Sequence, residues 1–127
     1  MKTEEIKRIE RFTDLKAWQE SRGLVLVVYR ATQTFPTEEQ FGITSQMKRA
    51  AVSVSSNIAE GFSRGSMKDK VHFYIMAHGS LTELQNQVIL SRDLGFVTDA
   101  NFREFVEQAE RAEKLLVGLI KASKERM

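Results

Sequence analysis

The chain has no cysteine, which excludes disulfide staples and thiolate metal centres. It has a single proline, Pro36, and glycine is scarce. Long uninterrupted helices are therefore allowed, and a β-sandwich with its many turns is disfavoured. The longest apolar run, Leu24-Val25-Leu26-Val27-Val28-Tyr29, falls far short of the roughly 20 residues that a membrane-spanning helix needs. The segment from Met1 to Arg11 is charged and does not read as a secretory leader. No membrane partner is expected, and the expected location is cytoplasmic. Neither sign of charge dominates, for the formal net charge is only +2. That is a weak pull on a polyanion, but the excess is uneven. Lys48, Arg49, Arg64, Lys68, Lys70 and Arg92 lie between Gly42 and Arg92, against only Glu60, Asp69 and Glu83.

What is present suits one helical domain. A chain of 127 residues, 42% of them hydrophobic, is long enough to bury one core without staples. The expected domain is 1–127, with 1–11 and 122–127 frayed. The first helix is expected to start after Thr13, whose hydroxyl would cap it, and to stop at Thr34, before Phe35-Pro36. From Leu24 to Val28 it is apolar all round, which implies a second partner beyond one bundle core. Leu24, Val25 and Val28 are therefore the expected oligomer interface.

The second helix is expected over Thr44 to Glu60, with Met47, Ala50, Val54 and Ile58 inward and Gly61 as a left-handed cap. Its stretch from Ala50 to Ala59 is free of charge. The third is expected to start at Ser66, with Asp69 three residues on, and to run to Leu94 before Gly95. Val71, Tyr74, Ile75, His78, Leu81, Leu84 and Val88 are its expected inward side. The fourth is expected from Thr98-Asp99, with a seam of Phe102, Phe105, Ala109, Ala112, Leu116 and Leu119 and with outer pairs Glu107/Arg111 and Glu110/Lys114. Short connections predict an all-α, up-down-up-down four-helix bundle.

Polar residues on these helices supply the candidate sites. A symmetric turn near Arg64 would set Gln46 against Glu83 and Arg49 against Ser80. An Arg49–Glu83 ion pair is expected, with Gln46 and Ser80 as added partners and Gly79 allowing close approach. Asn57 and Glu60 are expected to serve the turn, Glu60 by accepting from free N–H groups of the third helix or by pairing with Arg64. Arg64, Lys68 and Lys70 form a basic corner at a helix start, the first candidates for phosphate contacts, with Lys48 and Arg49 second. His72 and His78 are six residues apart and do not share a face, so no metal site is expected. The loop Gly61-Phe62-Ser63-Arg64-Gly65-Ser66 lacks the Lys-Ser/Thr ending of a phosphate-cradling loop. No catalytic constellation is evident, and no cofactor is expected.

Four segments carry a resemblance. They are Asp14-Leu15-Lys16-Ala17-Trp18-Gln19, Phe41-Gly42-Ile43-Thr44-Ser45-Gln46-Met47-Lys48-Arg49-Ala50, Ser53 to Asn57-Ile58-Ala59-Glu60-Gly61, and Ala77-His78-Gly79-Ser80-Leu81-Thr82-Glu83-Leu84. Together they resemble the four-helix bundle proteins encoded in intervening sequences of bacterial 23S ribosomal RNA genes. The resemblance runs from about Phe12 to Leu119. It implies a homopentameric ring, no enzymatic activity, and similarity to the RNA-associated accessory proteins of diversity-generating retroelements. The expected partners are further copies of the chain and RNA or another nucleic acid. The alternative is an oligomeric adaptor for a protein partner.

Overall fold

The computed structural model describes residues 8–127. Most of the expected N-terminal frayed segment, residues 1–7, lies outside the described residues. A 3-10 turn at Phe12–Asp14 leads into α1, Lys16–Ala31. Further 3-10 turns at Thr32–Thr34 and Thr37–Glu39 precede α2, Ile43–Phe62. Then come α3, Met67–Asp93, and α4, Asp99–Glu125. No strand occurs among the described residues. α1 packs on α2 and α4, and α3 packs on α2 and α4, so the four helices close a bundle around one core.

That core is built by the expected stripes. Leu24 and Val28 of α1 meet Met47, Val54 and Ile58 of α2, Tyr74, Leu81 and Leu84 of α3, and Ala112 and Leu116 of α4. Each large side chain removed from water contributes about 1.5–3 kcal/mol. The element ends follow local chemistry. The Ser66 hydroxyl accepts the Asp69 N–H at 3.1 Å and starts α3. The Thr98 hydroxyl accepts the Asn101 N–H at 3.1 Å and starts α4. Gly95, at φ 78°, takes the left-handed turn after α3 that a Cβ would oppose.

The structure corrects several sequence expectations. Thr13 does not cap α1. Its carbonyl accepts Gln19 Nε2, and the nearby Asp14 carboxylate accepts the N–H groups of Glu10 and Arg11. Gly61 is no left-handed cap. It sits inside α2, fully packed, where an added Cβ would lie 2.8 Å from Tyr74 Cε1 and 3.0 Å from Phe73 Cβ. Its role is close approach of α2 and α3. Gly79, assigned that role from the sequence, has nothing within 4 Å of its Cβ position.

Ile75 is half exposed, because α3 turns Tyr74 and Ala77 inward instead. Leu24 and Val28 are buried inside the single chain and are not available as an oligomer interface; Val25 is only partly buried. One bundle absorbs this apolar girth because α2 and α4 both press on α1. The C-terminal tail is helical to Glu125, held by the buried Ser123.

Candidate functional site

The α2–α3 face gathers most of the polar residues singled out above. The turn between the helices is not symmetric. Lys70, one turn into α3, donates Nζ to the Phe62 carbonyl at 2.6 Å. The helices are staggered by about one turn from the symmetric expectation. Ser80 therefore meets Ser53, not Arg49, with the hydroxyls 2.8 Å apart. Asn57 Nδ2 joins them, donating to the Ser53 carbonyl at 2.9 Å and to Ser53 Oγ at 3.1 Å. The hydrogen-bonded network is thus Ser53, Asn57 and Ser80.

The expected Arg49–Glu83 ion pair does not form. Both side chains are exposed, as is Gln46, so no desolvation forces a pairing. Glu83 instead accepts Gln87 Nε2 at 3.3 Å. Arg49, Glu83 and Gln46 line one shallow polar cleft of about 280 Å³ with Ser45, Ser53 and Phe41. Phe41 is 90% exposed at its mouth.

The basic corner is assembled at the α2–α3 turn, but most of its charge is engaged. Arg64 pairs with Glu60 at 2.7 Å and holds its guanidinium 4.5 Å from the Phe73 ring centroid. Lys70 is spent on the Phe62 carbonyl and ring. Lys68 alone of the three is exposed and without a partner among the described residues. The start of α3 is already satisfied by Ser66, and Asp69 in its first turn offsets part of the helix dipole. Lys48 and Arg49 lie far from this corner. Arg49 lies thirteen residues before the end of α2 at Phe62, about 20 Å of helical rise. Lys48 sits 4.7 Å from the Tyr29 ring centroid. One chain therefore carries two separate basic sites.

Sequence reasoning missed the aromatic platforms that Phe73 offers to Arg64 and Tyr29 to Lys48. It also missed a bridge between α3 and α4, where His78 Nε2 lies 3.1 Å from Glu113 Oε2 and Gln85 reaches the same carboxylate at 3.4 Å. The expected Glu107/Arg111 pair is absent. Arg111 bonds Gln108 Oε1 at 2.6 Å and lies 3.4 Å from Glu20 of α1. Glu110 and Lys114 do not pair either; a helix-surface pair adds only a few tenths of a kcal/mol. Among the described residues no group of three or more His, Cys, Asp or Glu side chains could hold a metal ion. None of the described helices is long and apolar enough to cross a membrane.

Comparison with known proteins matches this geometry. The family model described as 23S rRNA-intervening sequence protein matches residues 13–118. A crystal structure from Bacteroides thetaiotaomicron, described as a protein with unknown function from the S23 ribosomal protein family, superposes with a TM-score of 0.75. The alignment covers 83% of this chain and 95% of that one at 19% identity, a likeness of fold. No curated protein matches the chain.

Proposed function

The chain belongs to the 23S rRNA-intervening sequence protein family, and on that premise we propose a non-enzymatic, cytoplasmic, homo-oligomeric bundle that binds RNA or another nucleic acid through repeated basic corners. The topology we propose is up-down-up-down. It is supported by contacts that climb one helix while descending the next: Met47 with Ser91 and Ser53 with Ser80, then Arg92 with Phe102 and His78 with Glu113. The assembly we propose is a pentameric ring. Supporting it are the uncharged outer surface of α2 between Ala50 and Ala59 and the half-exposed Leu26 and Tyr29 beside it on α1.

The observation that carries the nucleic-acid reading is Lys68, exposed and unpartnered among the described residues, in the same α2–α3 corner as Arg64, whose guanidinium lies over Phe73. A phosphate contacts Lys68, and Arg64 exchanges Glu60 for a second one. One corner supplies little affinity, and a ring repeats it on every subunit. Such contacts position a backbone and read no sequence. Filter binding of structured RNA at two salt concentrations tests this. Retention at low salt, falling as salt rises and lost in Lys68→Glu, is the expected result. No retention at low salt, or retention indifferent to salt, overturns it.

A second reading is an adaptor for a protein partner. It is favoured by Phe41, 90% exposed in the cleft that it shares with Arg49 and Glu83, which form no ion pair with each other. Partner capture that survives nuclease and is lost in Phe41→Ser would select it.

A further inference from the structure

The bundle leaves two unlike surfaces on opposite sides, because α1 and α2 form one wall and α3 and α4 the other. The α1–α2 wall is apolar and basic. Leu26 is 51% exposed, Tyr29 45% and Val52 41%. Arg22 and Lys48 rise from it, held over Trp18 at 5.8 Å and over Tyr29 at 4.7 Å. Neither has a carboxylate partner among the described residues.

The α3–α4 wall carries an apolar groove with carboxylates on its α4 side. A groove of about 350 Å³ runs between the helices, floored by Val88, Phe102, Phe105 and Val106. Ile89, 52% exposed, stands on its rim. Glu110 lines the groove without a partner among the described residues, and Glu107 lies exposed three residues before it. Glu113 is already held by His78 and Gln85, and Arg92 is drawn onto the Phe102 ring at 4.4 Å.

We infer that the α1–α2 wall of one copy docks in the α3–α4 groove of the next, so that the occupant of the groove is a second copy of this chain. The inference rests on the homo-oligomeric reading above and names its two faces. Opposite sign and shared apolar character make the walls complementary. Because they are different surfaces, the contact is head-to-tail and repeats until a ring closes. Leu26 and Val52 enter the groove, Arg22 and Lys48 meet Glu107 and Glu110, and Lys48 is thereby withdrawn from any phosphate.

Sedimentation of the full chain tests this with two charge-reversed variants, Arg22→Glu/Lys48→Glu and Glu107→Lys/Glu110→Lys. Each alone is expected to fall to the 14.5 kDa single chain with its helical circular dichroism unchanged. An equal mixture is expected to sediment above the single-chain mass as heterotypic pairs and short open chains, since each variant then fits only the other and alternation cannot close a five-membered ring. If a variant loses helicity, Leu26→Glu and Ile89→Glu probe the same two walls. Wild-type oligomers whose mass survives the reversals, or a mixture that stays monomeric, overturn the docking while leaving the oligomeric reading intact. A monomeric wild type overturns both.

Discussion

Gly61 shows how a single residue sets the helix spacing. Its missing Cβ lets Tyr74 and Phe73 approach α2, so Gly61→Ala must push a ring or the backbone aside. Overpacking of this kind costs about 1–3 kcal/mol, and the urea midpoint should fall accordingly. Glu83 is the contrasting case. Because Arg49 is exposed and forms no ion pair with it, Glu83→Ala removes only the 3.3 Å bond from the buried Gln87 and should cost no more than about 1 kcal/mol in the same assay. Tyr74 supplies a pH dependence. Burial raises its hydroxyl pKa above the ordinary value of 10.0. The unfolded chain therefore releases this proton first as pH rises, and the folded state retains it. Stability is full below pH 10 and falls as pH climbs from there through the raised value. The slope above pH 10 should flatten in Tyr74→Phe, as measured by denaturant midpoints across that range.

The helices owe their ends to short-range chemistry. Ser66 and Thr98 each accept one backbone N–H that would otherwise be orphaned at the start of α3 or α4. Replacing either by alanine should cost about 1 kcal/mol, read as a lower melting temperature without loss of helical signal at low temperature. Both starts were legible in the sequence, as was Gly95, because a cap and a left-handed stop depend on residues within one turn. The end of α2 was not. Gly61 has the composition of a stop, but the rings of α3 that fill its empty side lie more than ten residues away. The arginines tell the same story at the surface. Arg111 has Glu107 one turn away yet turns to Gln108 and to Glu20 on α1. Arg64 takes the local option and also gains a ring from α3.

For the whole molecule, burial redraws the division between core and interface. Val28 is 1% exposed, whereas Leu26 on the same helix is 51% exposed. A glutamate at Val28 should therefore unfold the bundle, because an unpaired charge is forced into the core. A glutamate at Leu26 should leave the fold intact and lower the assembly mass. Circular dichroism together with light scattering separates the two outcomes. Loss of mass without loss of helix in Val28→Glu would show that this residue faces a neighbouring copy.

Composition and periodicity alone established that this is a four-helix chain without disulfides, and where most of its helices begin and end. Those properties rest on the apolar repeat of each segment and on hydrogen bonds within one turn. Only the packed structure decided how the helices register. It separated Leu24 from Leu26, placed Ser80 on Ser53, left Arg49 without Glu83 and gave Arg64 the ring of Phe73. Such choices depend on the stagger and rotation of whole helices, which the asymmetric turn and the close contact at Gly61 fix together. A shift of one turn changes every cross-helix partner while leaving each helix's own pattern untouched.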